Sequence, residues 1–357
     1  MGDKMKKIWL IVAIFLLIAL SFVVKSEGEK QLICDENGNF TILVVSDPQC
    51  DTIKQWNEAR NELETLVNRA SPKFVLINGD INSKNIVPKD KWKEFISVLE
   101  NRGIYWSTTN GNHDPFDLGN YKMYVGYNYC INTTVSTVDK NYDDTRPMNY
   151  VLPIYSNDQQ RVVFAIYGMD SGTKGVNGYE GLTTKQIDWY KAQSDMLKVG
   201  NGGKAVTSIL CMHLPLPQTL EMYYGGKSKI YGVANEINFN LNGYVTKGGK
   251  TVSKINVHTS NIDLDNKMFE TILNQCDIKG VFFGHNHRNN FIGSYNGVLL
   301  GFVGKLSTGC YSDMLCRGGR VIKFNQSAPE SFTTEWLTSL PTGQDQPPIH
   351  YDGSLAK

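Results

Sequence analysis

From Phe40 onward, short apolar runs alternate with stretches whose apolar residues recur at helical spacing. That is the pattern of stacked strand–helix units around a mainly parallel sheet, and hence of an α/β fold. Phe40–Ser46 reads as a strand ending in a polar turn. Trp56, Ala59, Leu63, Leu66, Val67 and Ala70 then mark one face of a helix that Ser71-Pro72 stops. Phe74–Ile77 and Ile104–Thr108 read as strands, separated by a helix around Trp92–Leu99 that closes near Gly103. The second half predicts strands at Arg161–Gly168, Val206–Met212 and Gly280–Phe283, helices at Thr184–Leu197 and Asn266–Cys276, and closing strands at Val298–Val303 and Arg320–Phe324.

Some stretches break the pattern. Residues 117–153 and 218–262 are rich in Asn, Tyr and Gly with weak periodicity, and read as long functional loops. Residues 326–357, rich in Pro, Ser and Thr, read as a surface tail. Ile8–Val24 is an apolar run between Lys4, Lys6, Lys7 and Lys25. A basic flank, an apolar stretch and the small residues Ser21 or Ser26 predict a secretory signal over 1–26, cleaved or retained as a membrane anchor. After a short linker, 27–39, the expected catalytic domain spans 40–325, and either fate of the signal makes it secreted, lumenal or extracellular. Asn39, Asn132 and Asn325 begin glycosylation sequons compatible with that side.

Composition changes the picture in two places. The 357 residues carry 36 Lys+Arg against 35 Asp+Glu, a formal charge of +1. No global field draws nucleic acid to the chain, and its only expected membrane contact is the N-terminal segment if that is not cleaved. Cleavage after Ser26 would remove four lysines and Asp3, a net +3, taking +1 to −2. Seven cysteines are an odd number for an oxidising compartment, and Cys310 with Cys316 is the preferred pair by proximity.

The chemistry sits where apolar runs end. Ser46-Asp47-Pro48-Gln49, Asn78-Gly79-Asp80, Gly111-Asn112-His113-Asp114, Met212-His213 and Gly284-His285-Asn286-His287 each follow a predicted strand. In an α/β sheet those carboxyl ends line one crevice, so distant residues converge. Each motif alone is an ordinary turn or a structural histidine. Together they supply carboxylate oxygens, imidazoles and an amide oxygen, the donor set for two divalent cations. Asp80 reads as the bridge, with one carboxylate oxygen to each cation, and His285 and His287 serve different cations from one loop.

These motifs resemble the five signature blocks of the calcineurin-like metallophosphoesterases, over about Phe40 to Asn325. The segment Gly284–Phe324, and Gly181-Leu182 followed by Gln186 and Trp189, are similar to a branch related to purple acid phosphatases. The resemblance implies a single catalytic domain built as a four-layer αββα sandwich. It implies that Asp47, Gln49, Asp80 and His287 hold one metal, and Asp80, Asn112, His213 and His285 the other. His113 would contact the phosphoryl group or protonate the leaving oxygen while hydroxide held by the metals attacks phosphorus. Asp114 would orient His113, or cap a turn instead.

The chain departs from that family pattern at Gln49, where Asp-x-His is usual, and at Ser83, where purple acid phosphatases carry a tyrosinate. Among Mn, Mg, Fe and Zn, a neutral amide oxygen favours Mn²⁺, and the missing tyrosinate predicts no Fe(III) colour. Arg288 and Arg146, with Asn112 and His113, are candidates for holding substrate phosphate. His258 is expected at the surface, and Tyr223, Tyr224 and Tyr231 either pack in a loop or stack on substrate. The expected activity is hydrolysis of phosphomonoesters. Alternatives are a phosphodiesterase acting on nucleotide or lipid phosphoesters, and a binding scaffold whose first metal site is impaired by Gln49.

Overall fold

The computed structural model describes residues 31–81, 89–114, 149–175, 178–224, 228–236, 244–247, 250–254 and 267–351. The signal at 8–24, Ser83, Cys130, Asn132, Arg146 and His258 lie outside them. No helix among the described residues is long and apolar enough to cross a membrane.

Two mixed sheets stack face to face. In one, six strands run in the order Gln346–Tyr351, Phe332–Thr338, Gly318–Asn325, Asn39–Val45, Phe74–Asn78, Tyr105–Thr109, with the last three parallel. In the other, the order is Leu32–Ile33, Tyr150–Tyr155, Val162–Met169, Ser208–Met212, Ile278–Phe283, Val298–Phe302, Ile292–Tyr295. Val162–Met169 through Val298–Phe302 are parallel.

Side-chain alternation explains why these runs are apolar throughout. Ile42, Val44, Phe74 and Leu76 point between the sheets, against Phe164, Ile166, Ile209 and Phe282. Leu43, Val45, Val75 and Ile77 point the other way, under the helices Ile53–Ala70 and Lys89–Glu100. On the far side Tyr167, Met169, Leu210 and Val281 lie under Thr184–Gly200 and Met268–Gln275. Both faces of each sheet are therefore covered, which is the four-layer αββα arrangement. Two of the helices begin with capping boxes, Thr52 with Gln55 and Thr183 with Gln186, and Ser71 ends the first in the left-handed region before Pro72.

Several expectations need correction. The sheets are mixed: in the first, Gly318–Asn325 runs antiparallel to both Asn39–Val45 and Phe332–Thr338, and in the second Tyr150–Tyr155 and Ile292–Tyr295 run antiparallel to their neighbours Val162–Met169 and Val298–Phe302. The tail expected over 326–357 is corrected as far as residue 351, because Phe332–Thr338 and Gln346–Tyr351 extend the first sheet; 352–357 lie outside the described residues. They read as a tail because an edge strand shows its polar side to solvent and tolerates Pro347 and Pro348. The linker over 27–39 likewise contains Leu32–Ile33, which pairs with Tyr150–Tyr155. That second strand begins inside the expected loop 117–153. The loop expected over 218–262 contains the helix Gln218–Tyr224 and a hairpin of Tyr244–Lys247 with Lys250–Lys254. Cys310 and Cys316 are not bonded to each other: Cys316 is fully buried and Cys310 faces outward. Closeness in sequence does not aim two Cβ atoms at each other.

Candidate metal centre

Parallel strands within each sheet bring all five polar motifs to one rim. Asn78 fastens the rim across the sandwich, its Nδ2 donating to Met212 O and Phe282 O of the other sheet (3.1 Å each). Ser46 Oγ donates to Asn78 O (2.8 Å), and the backbone N–H groups of Asp47 and Gln49 donate to Gly79 O and Asp80 O (3.1 Å each). Glycines allow the loops to approach so closely. A Cβ on Gly111 would stand 2.2 Å from Asp80 Oδ1, and one on Gly284 would stand 2.1 Å from Ser46 Oγ.

Two groups of side chains that could hold a metal ion result: Asp80, His213 and His285, and Asp47, Asp80 and His287, with ligand atoms in each within 4.8 Å of one another. Asp80 belongs to both. Its Oδ1 accepts the His113 backbone N–H (2.9 Å), and its Oδ2 lies beside His213 and Gln49. His213 Nε2 is 3.2 Å from that Oδ2 and 3.8 Å from Asp47 Oδ1, and His287 Nε2 is 3.1 Å from Asp47 Oδ1. Asp80 is thus the residue that would serve both cations of a pair. The remaining ring nitrogens are occupied: His213 Nδ1 at Asn78 O (2.9 Å), His285 Nδ1 at Asn112 Oδ1 (2.8 Å) and His287 Nδ1 at Tyr311 O (2.8 Å). Such partners set the tautomer and aim of a ligating imidazole.

The donor set passes a test that does not depend on resemblance. Gln49 Oε1 is buried and has no hydrogen-bond partner, and His213 Nε2 has only the Asp80 and Asp47 carboxylates beside it. Buried polar atoms are rarely left as Gln49 Oε1 is, and a cation there would satisfy it. Gln49 Nε2 meanwhile donates to Asp80 Oδ2 (2.7 Å). Asp47, Gln49, Asp80 and His285 all have left-handed backbone, with φ of 54°, 40°, 51° and 71°. Strain of about 1–3 kcal/mol at each clusters at functional sites, because only the surrounding structure holds it.

The electrostatics agree. Burial opposes charge on Asp47 and Asp80. His213 with His287 and Lys305 at Asp47, and His213 with His113 at Asp80, together outweigh it, and both carboxyls stay below the usual range. Burial also opposes protonation of His213, but Asp80 and Asp47 raise it to about 10. His285 falls to about 3, through burial and the neighbouring His213 charge. Without metal, a proton on His213 sits where a cation would go.

Asp114 accepts from the backbone N–H groups of Asp80, Ile81 and Gly111 (2.7–2.9 Å), so it ties the second and third motifs together as a turn cap. Asn112 and His113 are half-buried beside it. Arg288 is exposed, its guanidinium 5.4 Å from the centre of the Tyr311 ring. Tyr223 packs against Tyr224 and Phe291, and Tyr231 pairs by its backbone with Ile292, so these tyrosines serve packing.

Sequence reasoning missed several residues here. Asn78 was visible only as part of a turn. Lys305, fully buried, donates from Nζ to Asp47 O (2.7 Å), although it lies 258 residues away in sequence. Tyr179 packs edge-on to His285 and Tyr311 stacks on His287. Asp170 also escaped, although it follows a predicted strand as the five motifs do. It is buried and accepts from Asn110 Nδ2 (2.9 Å).

Known proteins bear on this geometry. The chain is 25% identical over 336 residues to the probable inactive purple acid phosphatase 29 of Arabidopsis thaliana, covering 83% of this chain and 80% of that protein. It is 21% identical over 315 residues to the probable inactive purple acid phosphatase 14 of the same plant, covering 78% and 73%. In fold it is similar to a dimetal phosphatase from Danio rerio, at 10% identity and a TM-score of 0.52, over 87% of this chain and 99% of that one. Residues 40–289 match calcineurin-like phosphoesterase, from the first strand-end motif through the last. A match over most of the described sandwich makes this chain a member of the calcineurin-like phosphoesterase family.

Proposed function

We propose that this chain is an active two-metal phosphoester hydrolase that takes phosphomonoesters in a secreted or lumenal setting. The observation that carries the reading is the pair of ligand groups sharing Asp80, with Gln49 Oε1 buried and unsatisfied beside them. Asp47, Gln49, Asp80 and His287 would hold one cation, and Asp80, Asn112, His213 and His285 the other, with Mn²⁺ favoured by the oxygen-rich set. When bound, two such cations supply positive charge against the phosphoryl oxygens and make hydroxide available near neutral pH. The protein's own part is to hold and to protonate. His113, fixed through its backbone at Asp80, offers a half-buried ring to the phosphoryl group or the leaving oxygen. Lys305 adds a buried positive charge behind Asp47.

Purified protein with Mn²⁺ should hydrolyse p-nitrophenyl phosphate faster than bis-p-nitrophenyl phosphate. The reverse order would make it a diesterase. A second reading, a scaffold with little turnover, draws on the Gln49 amide donating to Asp80 Oδ2, which engages the shared carboxylate without metal. It is also in keeping with relatives described as probably inactive. Absence of turnover with any divalent ion, in a chain that still binds two, would favour it.

A further inference from the structure

His287 is held from outside the metal centre. Tyr311 lies against it with ring centroids 4.1 Å apart and planes inclined by 24°, while Tyr311 O accepts from His287 Nδ1 (2.8 Å). The phenol is anchored in turn: Tyr311 Oη donates to Glu236 Oε1 (2.7 Å). Glu236 Oε2 accepts the backbone N–H of Arg288, the residue after His287 (3.3 Å), and the Arg288 guanidinium lies over the Tyr311 ring. Asn289 grips the Glu236 backbone at both N and O (3.0 and 3.1 Å), and Asn235 Nδ2 donates to Asp313 Oδ2 (2.8 Å). Three segments, 235–236, 287–289 and 311–313, are thereby locked together around one imidazole.

His285 has no such clamp. Its Nδ1 meets the Asn112 side chain and its ring meets Tyr179 edge-on. A stacked ring restricts the imidazole to one plane, and the carbonyl on Nδ1 leaves Nε2 aimed at Asp47.

We infer that Tyr311, anchored by Glu236, is the positioning residue for His287, and that it sets affinity at only one of the two cation sites, the one formed with Asp47, Gln49 and Asp80. The inference rests on the two-metal reading above. The Glu236 bond matters because it fixes the stacking ring, so Tyr311→Phe and Glu236→Ala weaken the site through the same contact.

Mn²⁺ titration by calorimetry of the full chain, with metal content after dialysis, tests this without recourse to turnover. Tyr311→Leu should weaken one of two sites by about 10–100-fold and leave the other as in the wild type. Tyr311→Phe, which keeps the stack, should recover most of the loss, and Glu236→Ala, which frees the ring, should weaken the same single site and serves if the leucine variant does not fold. Tyr311→Phe combined with Glu236→Ala should cost no more than the larger single change. Two sites unchanged in Tyr311→Leu, or both weakened equally, would overturn the inference while leaving the two-metal reading intact. A folded wild type that binds fewer than two Mn²⁺ would instead sink the two-metal reading, and this inference with it.

Discussion

Adding one methyl group at Gly309 should unseat one cation and spare the other. Gly309 is buried, and a Cβ there would stand 2.0 Å from Gln49 O and 3.0 Å from Pro48 O. An ordinary carbon–oxygen contact is about 3.3 Å, so the loop 47–49 or the segment around Gly309 must move by about 1.3 Å. Neither is free to do so. Lys305 Nζ holds Asp47 O, Leu306 N holds Ser46 O and Ser307 Oγ holds Pro48 O, at 2.7, 3.0 and 2.7 Å. From behind, Ser307 N is tied to Glu62 Oε2 (3.2 Å). The strain falls on Asp47 and Gln49, proposed above to hold one cation, and away from Asn112, His213 and His285.

Overpacking of this kind costs about 1–3 kcal/mol in stability, and an ångström of misplacement costs about 10²-fold in function. Gly309→Ala should therefore melt a few degrees lower and bind one Mn²⁺ as the wild type does, with the second weakened by about two orders of magnitude. Gly200→Ala, whose Cβ meets nothing within 4 Å, is the control and should bind both ions unchanged. Thermal melting with Mn²⁺ calorimetry reads both effects. Two ions bound at wild-type affinity by Gly309→Ala would refute the reasoning, because the segment 305–309 would then not be holding the first loop.

Other expectations follow from the same geometry. His213, raised to about 10 without metal, carries a proton at pH 7 that a cation must expel. Mn²⁺ affinity for that group should rise about tenfold per pH unit between 7 and 9, with close to one proton released, and equal calorimetric heats in buffers of different ionisation enthalpy would contradict it. In the metal-free chain the sign reverses. A raised pKa means that His213 contributes stability fully below about 6.5 and loses it as pH climbs through 10, so the apo protein should melt progressively lower over that window. Gln49→His should strengthen Zn²⁺ binding at the group containing Asp47, and unchanged metal content and rate would show that Gln49 is not a ligand. His113→Ala should retain both ions while losing about 10²–10⁴-fold in turnover of p-nitrophenyl phosphate, and an unchanged rate would remove His113 from the reaction.

Much of this was legible because a buried parallel strand must be apolar along its whole length and then stop. Val45, Asn78, Met212 and Phe283 mark four such stops, and the residues beside them are the candidate ligands. What stayed hidden depends on directions that one-dimensional spacing does not carry. Lys305 and Tyr311 act on Asp47 and His287 from a segment well past the last motif in sequence. Asn78 looked like the first residue of a turn and proved to be a peg between sheets. Phe332–Thr338 was obscured by the alternation that makes it a sheet strand, with Phe332, Thr334 and Trp336 inward and more polar neighbours between. Asp80 stands in both candidate groups, and the His113 N–H on its Oδ1 is a contact that spacing alone does not show.

The central claim is that one carboxylate serves two cations, and metal counting on Asp80→Asn tests it most directly. Mass spectrometry of dialysed, Mn²⁺-loaded protein should find two ions per wild-type chain and at most one in the variant, with circular dichroism showing both folded. Two ions retained by Asp80→Asn, or fewer than two in a folded wild type, would contradict the account.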